Sequence, residues 1–210
     1  MSTFRVEHLS TSGTFSLDGQ TFDVDNNVWL LGNDHEVLVL DAPHDAAAIE
    51  RAVAGRAVVA IACTHAHDDH VRYAPELAER LSTQVLLHPA DRVLWDLTHP
   101  DRAPDGELRD GAVLEVAGTR VEVLHTPGHA PGAVCFSVPS EELLFSGDTL
   151  FAGGPGATGR SYSDFDTILG SIRSRLAPLP PATTVHTGHG PSTTIGAELP
   201  SYDEWVRRGH

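Results

Sequence analysis

Three histidines and two aspartates occupy five of the six consecutive positions in His65-Ala66-His67-Asp68-Asp69-His70. Imidazole and carboxylate side chains are costly to bury unless they are paired or bound to a metal ion. Zn²⁺ takes nitrogen and oxygen ligands at about 2.0–2.2 Å, so a zinc site requires several donors to converge on one point. A polar loop whose aspartates cap a helix would explain one or two of these residues, but the whole segment indicates a metal site.

The elements around this segment would position its side chains for two ions. The apolar run Val58–Cys63 predicts a buried strand that ends just before the segment, and apolar spacing predicts a helix soon after it. Because residues i and i+2 of an extended chain point to the same side, His65 and His67 can share one ion. The turn into the helix would direct Asp69 and His70 toward a second ion.

Three later motifs also place a ligand-type residue beside glycine at the end of a predicted strand. Glycine has no side chain, so the backbone at these points can approach a site closely. The shared placement predicts that the loops gather along one edge of the sheets. The motifs are Pro127-Gly128-His129, Gly147-Asp148-Thr149 and Gly188-His189-Gly190.

Taken in this order, the motifs resemble those of the metallo-β-lactamase superfamily, over residues about 26–196. Within that superfamily, the chain is similar to the single-domain glyoxalase II-like (hydroxyacylglutathione hydrolase-like) metallohydrolases. The resemblance implies an α+β fold, an αββα sandwich of two mixed β-sheets with helices on the outer faces. It also implies one domain over residues 1–210 and a dinuclear metal site at one edge of the sandwich.

The resemblance further implies a ligand set for two divalent metal ions, zinc first, with iron or manganese as alternatives. Two such ions lower the pKa of a water between them and supply hydroxide near neutral pH. Asp69 and Asp148 would thereby also be catalytic, whereas Asp68 would orient a ligand histidine or have no role. The implied ligands are His65, His67 and His129 for the first ion, Asp69, His70 and His189 for the second, and Asp148 as the bridge.

The function implied by the resemblance is hydrolysis of a small S-acyl thioester, of the acyl-glutathione or acyl-mycothiol type, by the bridging hydroxide. One alternative is a persulfide (sulfur) dioxygenase with a single iron on His65, His129 and Asp148. A lactonase of the same fold and a metal-bound regulatory protein without turnover are further alternatives. Consumption of oxygen, metal content and a substrate panel would distinguish among them.

The segment Gly154–Gly159 matches the G-x-G-x-x-G pattern of dinucleotide-binding proteins, but a different interpretation fits it better. That motif has to close a strand and open a helix directly. Here Pro155 interrupts the motif, and the next helix signal begins only at Asp164. We therefore expect a loop beside the metal site, and at its end Arg160 and Tyr162 are candidates for contact with substrate.

Charge and composition exclude several other classes of function. The net charge is −15, from 14 Lys+Arg and 29 Asp+Glu, and such a surface repels nucleic acids and anionic membranes. All the basic residues are arginine, which excludes mechanisms that need a catalytic or phosphate-binding lysine. No apolar stretch approaches the length of a membrane span or an export signal. We expect a cytoplasmic enzyme, monomeric or homodimeric, whose partner is a small-molecule substrate.

Apolar runs between turn residues predict two β-rich halves with helices outside them. In the first half, separate short strands are predicted at Phe4–Leu9, Thr14–Leu17 and Asn27–Leu31. In the second half, Phe165–Leu176 has the apolar spacing of one amphipathic helix with Asp164 as its cap. The segment Ala197–Arg208 after the last motif is long enough for one further helix.

Overall fold

Two six-stranded sheets form the centre of the fold in the computed structural model, which describes residues 3–209; Met1, Ser2 and His210 lie outside the described residues. In the first sheet, the pairs β1-β2 and β2-β3 are antiparallel and the remaining pairs are parallel. Its strands, in spatial order, are β1 (Arg5–Leu17), β2 (Gln20–Gly32), β3 (Glu36–Leu40), β4 (Ala57–Ala62), β5 (Val85–Leu87) and β6 (Gly106–Glu107).

The second sheet is also mixed, because β10 pairs in parallel with β13 and its other pairs are antiparallel. A separate two-stranded hairpin of β11 and β12 follows β10. In chain order these strands are β7 (Val113–Val116), β8 (Thr119–His125), β9 (Val134–Val138), β10 (Leu143–Gly147), β11 (Leu150–Phe151), β12 (Gly154–Pro155), β13 (Thr184–Thr187) and β14 (Thr193–Thr194).

The helices lie between and after these strands, and several of them are short. Among the described residues, no helix is both long enough and apolar enough to cross a membrane. The helices are α1 (Ala46–Val53), α2 (Asp68–Val71), α3 (Ala74–Leu81), α4 (Arg92–Thr98), α5 (Phe165–Ser171), α6 (Ile195–Glu198) and α7 (Tyr202–Arg208), with single 3₁₀ turns at Pro139–Glu141 and elsewhere.

Strand β3 shows how side-chain alternation builds the layers. Because successive strand residues point to opposite faces, Val37 and Val39 pack toward the helices α1, α3 and α4, while Leu38 and Leu40 pack between the two sheets. A third buried cluster joins the second sheet to α5 and α7 and includes Trp205. Three apolar layers separated by two sheets make the predicted αββα sandwich, so the predicted fold class is confirmed.

The first hairpin is longer than the sequence predicted. Strands β1 and β2 pair without interruption from Arg5↔Gly32 to Leu17↔Gln20. The small polar residues of 10–13 resemble a break between strands, but their pairing with 24–27 continues the ladder across them. The prediction of separate short strands was therefore wrong, because the structure has two long, continuously paired strands here. The consequence is that the far end of the hairpin reaches over the edge where the histidine motifs lie.

Two predicted helices are interrupted in the structure. The segment predicted as one helix over Phe165–Leu176 is α-helical only to Ser171 and then forms a π turn over Ile172–Leu176. The C-terminal segment forms α6 and α7 with a 3₁₀ turn at Leu199–Ser201 between them, since Pro200 cannot donate the hydrogen bond that a continuous helix requires.

Candidate metal centre

Loops at one edge of the sandwich bring the seven predicted ligand residues together. Parallel strands end at the same edge, so the loops after β4, β8, β10 and β13 converge there. Three groups of donor atoms each lie within 4.8 Å of one another. The groups are His65, His67 and His129; His65, His70 and Asp148; and Asp69, His70 and His189.

The first group consists of three buried imidazoles. Nδ1 of His67 lies 3.0 Å from Nε2 of His65 and 3.0 Å from Nε2 of His129. Burial, reinforced by the neighbouring His129, lowers the pKa of His67 to about 3. Burial likewise lowers the pKa of His129, and burial together with nearby His70 lowers that of His65. Three neutral rings with converging lone pairs can hold a cation without first losing a proton.

The group of Asp69, His70 and His189, called the second group from here on, combines a carboxylate with two imidazoles. Asp69 Oδ2 lies 3.3 Å from His189 Nε2 and 3.7 Å from His70 Nε2, and the two Nε2 atoms are 3.2 Å apart. Burial disfavours the charged form of His189, but Asp148 and Asp69 outweigh it and raise the pKa of His189 to about 10. Burial opposes ionisation of Asp69, yet His70 and His189 lower the pKa of Asp69 to about 2.

Asp148 lies between the two groups. Its Oδ1 is 3.5 Å from His70 Nε2, and its Oδ2 is 3.5 Å from His129 Nε2 and 3.4 Å from His189 Nε2. Despite its burial, the surrounding imidazoles of His189 and His70 hold the pKa of Asp148 well below its usual value. Oδ1 is buried and has no hydrogen-bond partner among residues 3–209. An ionised, buried oxygen of this kind fits a bound cation.

The remote ring nitrogens of three histidines are held by groups that accept hydrogen bonds. Nδ1 of His70 lies 2.8 Å from Asp41 Oδ2, Nδ1 of His129 lies 2.7 Å from the Ala157 carbonyl, and Nδ1 of His189 lies 2.7 Å from the Asp25 carbonyl. A backbone carbonyl oxygen can only accept, so Nδ1 carries the hydrogen in the His129 and His189 rings, and a carboxylate partner favours the same tautomer of His70. Each Nε2 then directs its lone pair at the cluster when the ring is neutral, which is the arrangement of metal-binding histidines.

Asp41 is a functional candidate that the sequence reasoning missed. It follows β3 with a φ of 64° and is buried. In addition to His70, its carboxylate accepts hydrogen bonds from the backbone N–H of Thr64 at 2.7 Å and from the Thr64 hydroxyl at 2.8 Å. It therefore links β3 to the residue that precedes His65. Its position directly after a predicted strand is the same signal that identified the other motifs.

Two asparagines of β2 also contribute and were not predicted. The buried amide of Asn26 donates through Nδ2 to Asp69 Oδ2 at 3.0 Å, and its Oδ1 lies 3.1 Å from His44 Nε2. Asn27 donates through Nδ2 to the carbonyls of Thr187 and Gly190, at 3.0 and 2.9 Å, and so fixes the loop that carries His189.

Two other residues of ligand type, Asp68 and His125, make their contacts outside the ligand set. Asp68 orients no ligand histidine in its observed contacts, because its carboxylate accepts from the backbone N–H of Ser16 at 3.0 Å and forms an ion pair with Arg72. His125 stacks on His88 with ring centroids 4.0 Å apart, outside the site.

A pocket of about 200 Å³ opens over the cluster, and Arg160 forms part of its wall. The guanidinium lies 5.2 Å from the ring centroid of Phe15 and 4.6 Å from that of Phe22, both on the first hairpin. Its Nη1 is buried and finds no hydrogen-bond partner in the described part of the chain. Tyr162 does not line this pocket: it is 50% exposed, with a φ of 70°.

Known proteins resemble this chain in sequence and structure. A family model described as the metallo-beta-lactamase superfamily matches residues 21–189. The probable metallo-hydrolase YqgX of Bacillus subtilis (strain 168) is 31% identical over 186 residues, 82% of this chain and 88% of that protein. The hydroxyacylglutathione hydrolase GloC of Haemophilus influenzae is 34% identical over 149 residues, 64% and 70% of the two chains. The crystal structure of TTHA1623 in a di-iron-bound form has a TM-score of 0.73 at 34% identity, covering 83% of this chain and 92% of that one.

Proposed function

The chain belongs to the metallo-β-lactamase superfamily, and on this premise we propose that it is a dinuclear metal-dependent hydrolase of a small S-acyl thioester. The observation that carries the proposal is the position of Asp148, whose carboxylate lies between two groups of nitrogen donors in the floor of a pocket. The likeness to a protein named hydroxyacylglutathione hydrolase supports the thioester as substrate.

The donor set fits two divalent ions that bind imidazole and carboxylate. We assign zinc first, with iron or manganese as alternatives, because all three accept these ligands. A structural relative at 34% identity is described as di-iron-bound, which supports a dinuclear centre. The residues proposed to hold the ions are His65, His67 and His129 for the first, Asp69, His70 and His189 for the second, and Asp148 for both.

When bound, two such ions supply a hydroxide nucleophile at neutral pH and polarise the substrate carbonyl. The chain's own residues orient the ligand groups and supply the negative charge of the site. Asp69 and Asp148 are ionised, so their carboxylates would accept hydrogen bonds from water in the pocket. Asn26 holds Asp69 in this orientation through its amide hydrogen bond. The first hairpin covers one side of the site, where the Phe15 ring lies 5.1 Å from that of His67 and limits access of water.

Arg160 is proposed to bind an anionic group of the substrate. Stacking on Phe15 and Phe22 fixes the guanidinium in the pocket wall, and a buried Nη1 without a partner among residues 3–209 is available to donate to a ligand. A guanidinium pairs with a carboxylate through charge-assisted hydrogen bonds. Glutathione has a carboxylate at each end of the tripeptide, so an acyl-glutathione offers this group. Mycothiol has no carboxylate. We therefore favour the acyl-glutathione type.

Tyr162 is proposed as an outer contact for the thiol carrier. It lies two residues from Arg160, and half of its side chain is exposed beyond the pocket wall. A non-glycine residue with φ in the left-handed region is strained, and such strain is concentrated at functional sites.

Elemental analysis tests the metal centre. The untagged protein, purified without chelator, is expected to contain close to two ions per chain. The variant His67→Ala should lose metal, whereas His125→Ala removes an imidazole outside the cluster and should retain it. One iron per chain with consumption of oxygen in the presence of a persulfide would contradict the hydrolase and support the dioxygenase.

A substrate panel tests the thioester and the role of Arg160. The loaded enzyme is expected to hydrolyse an S-acylglutathione faster than a neutral S-acyl thioester of the same acyl group. Arg160→Gln should raise KM for the charged substrate and leave KM for the neutral one unchanged. Arg173, which lies over the Tyr202 ring at 5.7 Å and away from the pocket, provides the matched control Arg173→Gln. Equal KM values for both substrates in the wild-type enzyme would exclude the proposed contact.

A further inference from the structure

A buried carboxylate outside the ligand set joins the two loops that carry the first group of histidines. Asp91 has no exposed surface, and it follows β5 in a 3₁₀ turn, Pro89–Asp91, that leads into α4. Its Oδ2 accepts a hydrogen bond from the backbone N–H of Ala66 at 2.7 Å. Its Oδ1 accepts a hydrogen bond from the backbone N–H of Gly132.

These two N–H groups belong to the loops that carry the first group of histidines. Ala66 stands between His65 and His67, and Gly132 comes three residues after His129. One carboxylate therefore holds both of the loops that supply the first group of imidazoles. The loops are more than 60 residues apart in sequence, since His67 and His129 are separated by 62 positions. The second group of ligands has no contact of this kind with Asp91 among the described hydrogen bonds.

Close packing at Gly132 shows that the contact is tightly fitted. A Cβ atom at position 132 would lie 2.6 Å from the Asp91 backbone nitrogen and 2.9 Å from both Cβ and Cγ of Asp91. Glycine is needed here because it lets the backbone approach Asp91 closely. Its backbone conformation is not the reason, because Gly132 is not among the residues with positive φ. A residue with a side chain at position 132 would therefore not fit against Asp91.

The chemistry of the contact requires a carboxylate. Two N–H donors approach two different oxygens, and an ionised carboxylate presents an acceptor at each. An asparagine would present one carbonyl oxygen, and its NH₂ group would face an N–H. Burial raises the pKa of Asp91 to about 6, which leaves the side chain ionised at neutral pH.

We infer that Asp91 is a positioning residue that sets the geometry of the first metal site by holding the His65–His67 loop against the His129 loop. The inference rests on the proposed metal-binding function. It assigns a selective role: loss of Asp91 weakens the site formed by His65, His67 and His129 and leaves the site formed by Asp69, His70 and His189 able to bind.

The test is a metal titration of the full chain with Zn²⁺ under chelator competition, followed by Co²⁺ substitution and its visible absorption spectrum. Wild type should show two binding constants. Asp91→Asn should weaken one of them by about 10- to 100-fold, as loss of groups that orient ligands does, and should lose the Co²⁺ bands of one site only. Asp105→Asn, which changes a carboxylate that accepts from the Val85 N–H and has no described hydrogen bond to the loops of the metal ligands, should retain both constants.

A second variant changes the same contact at Gly132, the residue whose N–H donates to Asp91. Gly132→Ala keeps the charge of Asp91, but its Cβ would push the His129 loop away from Asp91, and it should weaken the same constant and the same Co²⁺ bands. This variant serves if Asp91→Asn does not fold. Two wild-type constants in both variants would overturn the role of Asp91. Failure of the wild-type chain to bind any Zn²⁺ would instead overturn the metal-binding function itself.

Discussion

Gly188 lies so close to Asp148 that a Cβ atom at position 188 would overlap the carboxylate Oδ1 and lie 2.9 Å from His70 Cε1. Backbone hydrogen bonds hold Gly188 in place on both sides, from its N–H to the Gly147 carbonyl and from the Asn27 N–H to its own carbonyl, each 2.8 Å. The glycine before His189 is therefore a spatial requirement of the carboxylate between the two groups of donors.

Gly188→Ala is expected to displace Asp148 or the His189 loop and to lower kcat by about 100-fold, since misplacement of about 1 Å can have such an effect. Steady-state kinetics with measured metal content per chain checks this. Gly170→Ala is the matched control, because a Cβ there meets nothing within 4 Å and alanine favours the helix. Normal turnover in Gly188→Ala would show that Asp148 is not held where the structure has it.

Asp148→Ala should lower kcat by several orders of magnitude, because it removes the carboxylate that lies between both groups of donors. Metal analysis of the same preparation should show fewer than two ions per chain. Asp203→Ala makes the same change of charge on an exposed face of α7 and should be unchanged in both measurements. Near wild-type turnover in the Asp148 variant would rule out this assignment of the site.

Asp41→Asn is expected to weaken metal binding by about 10- to 100-fold, the range for loss of a group that orients a metal-binding histidine. The amide keeps one acceptor oxygen, but three donors reach this carboxylate, from Thr64 and His70. His70 would lose the partner that directs its Nε2. Calorimetric titration with Zn²⁺ measures the effect, and an unchanged affinity would show that His70 is oriented by other contacts.

The seven clustered residues could be predicted from sequence for two reasons. Four of them lie in the short segment His65–His70 after a predicted strand, and the other three, His129, Asp148 and His189, stand beside glycine at strand ends. That signal is local, and the topology then brings the loops to one edge. Asp41 follows a predicted strand but has no glycine beside it, and Asn26 and Asp91 carry neither feature. A single aspartate or asparagine has no characteristic spacing, and its role depends on which backbone and side-chain groups the folded chain places against it.

The fold could be predicted from alternation and from the motif order, but the extent of some elements could not. Residues 10–13 are small and polar, and only their pairing across the hairpin shows that β1 continues through them. The contact of Arg160 with Phe15 and Phe22 follows from that continuation. It joins residues that are more than 130 positions apart, which no local pattern reveals.

We expect the protein to lose stability in acid through His186. His186 packs against Trp29, with ring centroids 4.3 Å apart, and its Nδ1 lies 2.9 Å from the Ser192 hydroxyl. Burial, together with the nearby His8, lowers the pKa of His186 to about 4, below its usual value of 6.5. Between these two values the unfolded chain binds a proton that the folded chain does not. The free energy of unfolding therefore falls as pH decreases from about 6.5 to about 4.

His186→Phe keeps a ring against Trp29 and removes the titration, so the acid loss of stability should be smaller than in wild type. Chemical denaturation of the metal-free protein at several pH values between 4 and 7 gives the difference in free energy of unfolding between the two proteins. That difference should shift in favour of the variant as pH falls, and the shift should end below the folded pKa. The same substitution at exposed His35 is the control. A difference that stays constant over the whole range would show that His186 takes up its proton equally well in the folded chain, contrary to its burial beside Trp29.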